Sequence, residues 1–438
     1  MTGWMLNVAY LLFLAAISPI LVWRRVRLRK DRDGLWEKLT GRVTPRDSTG
    51  DCLWLHAVSV GEVLLLRPVI EELRLRRPGL ELVLSVTTTT GRDVAVAKYP
   101  GCRVIYFPLD FTWAVGAALD RIRPTAIALA ELELWPNFVS IAAARGIPVS
   151  IINGRLSEKS FRGYRRIRFL TRSLLGRLTF AGVQSKDYAE RFEALGLPRE
   201  RCHVTGSVKF DKVEVRRDHP GCVALRSCFG IGTDDLVFIA GSTQAPEERL
   251  AVETWQELRG EFPNLRLIVV PRHKERFEEV ARLISDECGL KVVRRSRPEE
   301  ATVGCEGGAV ALLDTLGELA ACWGLADIAF VGGSLTNRGG QNMIEPAAYG
   351  AAVLFGPNTR NFRDIVALLL AADAARVVRD GADLTDTVVR LLRDERERRA
   401  MGARARELVL SQQGATRLTV DLLEQSLPEA GSRVGRAA

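Results

Sequence analysis

The chain has 438 residues, of which 47% are hydrophobic and 26% charged. That composition excludes a disordered chain, and the length exceeds one compact core, so two domains of roughly 150–200 residues are expected. An excess of 62 Lys+Arg over 53 Asp+Glu leaves a net charge of +9, which favours an anionic partner.

The first predicted element is the uncharged run Met5–Trp23, followed by Arg24, Arg25, Arg27, Arg29 and Lys30. It is just long enough to span hydrocarbon, and basic residues on its C-terminal side predict that the bulk of the protein stays cytoplasmic. A cleaved signal peptide fits less well, because the charge lies on the wrong side and no small-residue cleavage site follows, and a buried core helix is the other alternative. Residues 1–30 are therefore expected to form a single-pass membrane anchor with a basic flank. Asp31-Arg-Asp33 matches the acidic string by which some sugar transferases hold a metal, but it lies in this basic run and not after a core strand, so no metal is assigned to it.

From Asp51 onward short Val/Ile/Leu-rich runs alternate with helical stretches, the pattern of βαβ units. The first set includes Cys52–Val58, Glu81–Thr87, Thr125–Ala130, Pro148–Ile152 and Phe180–Gln184. The second includes Leu236–Ala240, Leu265–Val270, Val310–Leu313, Ile328–Val331 and Ala352–Phe355. The expected fold is α/β, two Rossmann-like domains facing across a cleft, spanning 31–208 and 209–395. The polar segment Gly206–Gly221 is the expected hinge. Residues 396–427 read as helices free to pack back on the first domain, and 428–438 as a disordered tail.

The unusual residues all follow the ends of these runs, where ligands bind in open parallel sheets. Ser59-Val-Gly61-Glu62 places a carboxylate in a turn just past a strand; it is a candidate general base, with a first-turn helix residue stabilised by the macrodipole as the alternative. Thr90-Gly91 follows the next strand. Glu131 and Glu133 alternate at a strand end, so only one is expected to face a ligand. Asn153, Arg155 and Ser157 follow another strand. Arg155, Lys159, Arg162, Arg165, Arg166, Arg168, Arg172 and Arg177, with Glu158 the sole acid among them and Phe161, Tyr164 and Phe169 interleaved, form a basic amphipathic stretch suited to a solvated face, a nucleic acid or an anionic lipid surface.

In the second half, Ser242-Thr243 and Arg272-His273 offer hydroxyls and a guanidinium for a phosphate. Asp314-Thr-Leu-Gly-Glu318 follows another strand, where Gly317 and Glu318 can meet a nucleotide through backbone and side chain, with a helix cap at Asp314 as the alternative. The loop Phe330–Pro357 carries Gly339, Gly340, Gln341, Asn342 and Glu345. Its glycines allow close backbone approach, a helix start offers N–H groups to a phosphate, and Glu345 can accept from ribose hydroxyls. A nucleotide site follows. The eight cysteines show no CxxC pair and the four histidines are dispersed, so neither a disulfide framework nor a zinc site is indicated.

HAVSVGE, TTTTGRD, ELELWPN, NGRLSEKS, GSVKFD, PRHKER, DTLGEL and FVGGSLTNRGGQNMIEPAAYG, in that order, resemble the Kdo transferases, which move 3-deoxy-manno-octulosonic acid (Kdo) from CMP-Kdo onto a lipid A precursor. The resemblance implies an inverting glycosyltransferase of GT-B type with a membrane anchor on the cytoplasmic face of the bacterial inner membrane; with Asp31-Arg-Asp33 set aside and no GxxxxGK(S/T) phosphate loop present, metal-independent transfer is expected. It implies no cofactor and no nucleic-acid partner. By resemblance Glu62 is the base, and Ser59, Gly61, Thr90, Gly91, Glu131, Glu133, Asn153, Arg155, Ser157, Arg165 and Arg166 serve the acceptor. Lys209, Ser242, Thr243, Arg272, His273, Gly317, Glu318, Gly339, Gly340, Gln341, Asn342 and Glu345 serve the donor. Gln341 stands where the family usually carries His, which removes a group that titrates near neutrality. The rival readings are a nucleotide-sugar 2-epimerase-like isomerase and a non-catalytic membrane-bound sugar or lipid binder.

Overall fold

The computed structural model describes residues 2–27, 34–211, 213–297 and 308–428; side chains of the first helix are described from Gly3 to Ala16. Asp31, Asp33 and the basic flank lie outside the described side chains, as does the expected tail from 429 onward. The chain forms two compact units, Met1–Lys212 with Gln413–Ala438, and Val213–Gln412.

The first unit holds a sheet of β1 (Cys52–Ala57), β2 (Glu81–Val86), β3 (Arg103–Tyr106), β4 (Ala126–Ala130), β5 (Val149–Gly154), β6 (Ala181–Val183) and β7 (Cys202–Val204). Their order is β3-β2-β1-β4-β5-β6-β7, with every pairing parallel. Both faces of β1 are covered: Trp54 belongs to one apolar cluster, with Phe107, Phe138 and Leu174, while Leu53 and Leu55 belong to another, with Val69, Ile70 and Leu73. Burial on both sides is why the central strands read as unbroken apolar runs. The final helix, Ala415–Gln425, adds Ala415, Val420 and Leu423 to the second cluster, and Arg76 pairs with Asp421 at 2.6 Å.

In the second unit β8 (Leu236–Thr243), β9 (Leu265–Pro271), β10 (Lys291–Arg294), β11 (Ala309–Leu312), β12 (Ile328–Val331), β13 (Ala352–Phe355) and β14 (Ala375–Val377) lie in the order β10-β11-β9-β8-β12-β13-β14, again all parallel. The two-domain parallel α/β reading therefore holds.

The membrane-span expectation is not supported. Among the described residues no helix is long and apolar enough to cross a membrane. The helix Thr2–Arg27 instead turns polar groups of its first half into the first unit. Asn7, 1% exposed, donates to Thr112 Oγ1 at 2.7 Å and accepts from Asn137 Nδ2 at 3.2 Å, while Tyr10 donates to Asp110 Oδ2 at 2.9 Å. Its other face leaves Trp4, Met5, Val8, Leu11, Leu12 and Phe13 between 50% and 70% exposed.

Candidate active site

Strand order reverses between β1 and β4 in the first sheet and between β8 and β12 in the second. At such a switch point the loops leaving adjacent strands diverge and open a crevice at their carboxyl ends. The segments after β1 and β4 carry Glu62, Glu131 and Glu133; Thr243 ends β8, and the Gly332–Glu345 loop follows β12.

Ser59 caps the helix Val60–Leu65 by accepting from the Glu62 N–H at 3.3 Å. Glu62 reaches back, its Oε2 accepting from the Val58 N–H at 2.9 Å and its Oε1 from the Ser59 hydroxyl at 2.8 Å. This reciprocal capping box holds a half-buried carboxylate at the strand exit in one orientation, and no cation pairs with it among the described residues. Gly61 is exposed beside it. Thr88 caps the next helix by accepting from Gly91 N at 3.1 Å, with Thr90 beside it.

Beyond β4 the expected alternation fails. β4 ends at Ala130, and Glu131 sits in the left-handed region at φ 57°, so strand periodicity does not set the two side chains apart. Burial pushes the Glu133 carboxyl up to about 7, aided by the negative charges of Glu62 and then Glu131 and opposed by a 3.0 Å hydrogen bond from Trp135 Nε1. The three carboxylates thus share one electrostatic neighbourhood. Burial raises the Tyr164 hydroxyl as well, and the charge of Glu133 adds to it, which brings the helix Glu158–Arg166 to the same place. Aromatic packing lies beneath: His56 stacks on Phe107 at 3.8 Å, and Phe107 meets Trp135 at 5.9 Å.

The elevated Glu133 has a stability consequence. A carboxyl whose folded pKa lies above its unfolded value stabilises the fold below the unfolded value, and that contribution is lost as pH rises through about 7. Glu133→Gln is therefore expected to match wild type near pH 4.5 and to become more stable by about 1 kcal/mol at pH 8, after discounting for solvent screening of a half-exposed group. Thermal melts across that range check it; a stability difference that does not change with pH overturns it.

Asn153, on β5, is 1% exposed at φ 51°; its Oδ1 accepts from Val208 N at 3.2 Å, and its Nδ2 is buried without a partner. Arg155 is half-buried, Ser157 caps the helix Glu158–Arg166 by accepting from Ser160 N, and Arg165 and Arg166 are exposed. Lys209 is exposed on the turn Val208–Phe210 and belongs to the first unit.

In the second unit Ser242, 7% exposed at φ 54°, and buried Thr243 end β8, and the Arg272 N–H bonds Thr243 O at 3.0 Å. Arg272 and His273 are exposed. Asn342 donates to Glu345 Oε1 at 3.0 Å and accepts from Ile344 N at 3.1 Å. Burial raises the Glu345 carboxyl, while Asn342 and the charge of Arg272 pull it down, which sets Arg272 and Glu345 together. Gln341 lies against Gly333, where a Cβ would come 3.3 Å from its Nε2. Gly339 and Gly340, at φ 92° and 75°, make a left-handed turn that other residues rarely adopt.

Other residues are engaged elsewhere. Asp314 caps no helix: it pairs with Arg294 at 2.7 Å and accepts from Ser296 N at 2.8 Å. Glu318, next to Gly317, is held by Arg295 at 2.9 Å and by Thr315. The loop amides expected to be open to a phosphate are also partly used. Glu247, fully buried, accepts from Gly333, Ser334 and Leu335 N–H at 2.7, 3.0 and 2.9 Å, and from Gln244 N–H at 2.9 Å. The sequence reading missed this residue, whose one local signal is its place in the first turn of the helix Glu247–Leu258.

Among the described residues Arg123, Glu131, Asn153, Ser242 and Asp373 are the non-glycines with positive φ. Glu131, Asn153 and Ser242 are candidate site residues at strand ends. Left-handed backbone outside glycine costs on the order of 1–3 kcal/mol and gathers where function holds it.

The arrangement belongs to the class of two-domain, parallel-sheet Rossmann-like folds of GT-B type. A UDP-GlcNAc 2-epimerase from Neisseria meningitidis, bound to UDP-GlcNAc, is similar at a TM-score of 0.56 over 86% of this chain and all of its own, with 13% identity, which shows the fold. A family model described as 3-deoxy-D-manno-octulosonic-acid transferase (kdotransferase) matches residues 33–212. The 3-deoxy-D-manno-octulosonic acid transferase of Haemophilus influenzae is 32% identical over 86% of this chain and 87% of its own length. That of Bordetella pertussis is 32% identical over 95% of this chain and 99% of its own. The chain belongs to the Kdo transferase family and is a glycosyltransferase that transfers Kdo in lipopolysaccharide biosynthesis.

Proposed function

We propose that the donor is CMP-Kdo, the acceptor a lipid A precursor, and the place of reaction the cytoplasmic face of the bacterial inner membrane. The observation that carries this reading is the carboxylate cluster at the first switch point. Attack of a sugar hydroxyl on an anomeric carbon needs a base, and Glu62 stands at a strand exit with its orientation fixed by two donors. Glu133 is the member of the cluster that keeps a proton near neutral pH, which relieves repulsion between neighbouring carboxylates. The second unit serves the nucleotide: Arg272 for the phosphate, and Gln341, Asn342 and Glu345 for the hydroxyls and N–H groups of the nucleoside. One direct displacement on the donor inverts the anomeric centre.

The membrane reading rests on surface chemistry and needs no span. The helices Glu158–Arg166 and Arg168–Leu175 expose Arg165, Arg166, Arg168 and Arg172 beside Phe169, 82% exposed, and the first helix exposes its apolar stripe. Apolar and basic groups together suit an anionic bilayer surface.

The test incubates the purified protein with CMP-Kdo, generated in situ because it is labile, and a tetraacylated lipid A precursor. Mass spectrometry is expected to find the lipid heavier by whole Kdo residues. Donor consumption with an unchanged lipid overturns the acceptor assignment. In parallel, Arg165→Glu with Arg166→Glu is expected to weaken sedimentation with phosphatidylglycerol vesicles at least about tenfold; unchanged partitioning removes the membrane assignment.

A further inference from the structure

A groove of about 320 Å³ runs in the first unit between the first helix, the helix Pro136–Ala144 and the helix Arg168–Leu175. Its size falls within the range of about 300–1,000 Å³ usual for small-molecule sites. Leu6, Pro136, Ile141, Ala144, Leu170 and Leu174 line it, so most of what it offers is hydrocarbon.

We propose that this groove takes one acyl chain of the acceptor glycolipid, an inference that rests on the lipid acceptor argued above. Three observations support it. The groove is pinned open as a fixed shape, because the first helix is held by buried Asn7 to Thr112 and Asn137, and Gly3 packs so closely that a Cβ there would lie 3.0 Å from Thr112 Cγ2. It adjoins the carboxylate cluster: Pro136 is three residues beyond Glu133, a separation of at most about 11 Å along an extended chain. Its charge is also complementary to a phosphorylated amphiphile. Arg145 is committed to Asp120 at 2.9 Å and to Gly116 O, whereas Arg177, also in the lining, has no ion-pair partner among the described residues. An acyl chain among the leucines, with its phosphorylated head toward Arg177, uses both halves of the lining. Aliphatic burial supplies affinity, and the groove then sorts acceptors by whether they are acylated.

Ala144→Trp and Ser173→Trp test this in the full chain. Both residues are exposed positions on helices bordering the groove, so a larger side chain fills its volume without entering the core. Two acceptors are compared in detergent: the tetraacylated disaccharide phosphate, and the same disaccharide phosphate with its chains removed. For each variant the ratio of kcat/KM on the acylated acceptor to that on the deacylated acceptor is expected to fall about tenfold, the equivalent of about two methylenes returned to water. An unchanged ratio in both variants, or equal losses on both acceptors, overturns the groove assignment while leaving Kdo transfer to lipid intact. An unchanged ratio accompanied by weaker binding to phosphatidylglycerol vesicles assigns the groove to bilayer lipid and overturns the proposal for the acceptor. Wild-type transfer to neither acceptor defeats the underlying lipid-acceptor reading, and the groove assignment with it.

Discussion

Replacing Glu62 by glutamine is expected to lower kcat by about 10²–10⁴ while the melting temperature stays close to that of wild type. The amide keeps the shape of the carboxylate and one oxygen, so it can still accept from the Val58 N–H or the Ser59 hydroxyl, but it cannot take a proton from an attacking sugar. The capping box is what separates the two readings of this residue. If Glu62 only caps the helix Val60–Leu65, the substitution shows in stability, by about 0.5–2 kcal/mol, and little in turnover. Rate measurements with saturating donor and acceptor, beside thermal melts, decide the matter. A variant retaining more than about a tenth of wild-type turnover places the base elsewhere, with Glu133 next in line.

The second large effect lies away from the reacting groups. Glu247→Ala is expected to destabilise the second unit by about 3–5 kcal/mol, because four buried backbone N–H groups lose their shared acceptor. Glu247→Gln is the sharper variant. It fills the same space, yet its NH₂ must face two of those donors, so it is expected to lose most of that stability too. Chemical denaturation monitored by tryptophan fluorescence reads both, since Trp255 and Trp323 are buried in this unit. A loss below about 1 kcal/mol for both variants means the carboxylate does not hold the loop. If the loop is held as described, CMP affinity falls alongside stability, since Gln341 to Glu345 follow directly from the segment that Glu247 fixes.

What could be read from the sequence follows from what each residue is buried against. The ten strands singled out in advance are interior or near-interior ones such as β1 and β8, covered on both faces and therefore continuously apolar. The four not singled out, β3, β7, β10 and β14, are the four sheet edges. They are three or four residues long and partly exposed, so Arg103, His203, Lys291 and Arg376 break their apolar signal. Glu62 was legible because Ser-x-x-Glu after a strand is a local pattern. Glu247 was not, because three of its partners lie more than eighty residues away. The first helix misled for a similar reason: a count of charges sees an apolar run, whereas Asn7 and Tyr10 within it are uncharged polar residues that bond to the protein. Glu131 and Glu133 misled because period-two reasoning was carried past Ala130, where the strand had ended.

The polypeptide leaves its first unit after Lys212 and re-enters it at Gln413 to lay down one last helix. No single cut can therefore liberate either half intact. A fragment ending at residue 212 would lack Ala415, Val420, Leu423 and Leu427 and present the bare surface of Val69, Ile70 and Leu73 to water, whereas grafting 413–428 back through a short tether would restore a self-sufficient piece. Ribosomal synthesis meets the same constraint, since that half cannot close its apolar interior until Leu427 has been translated.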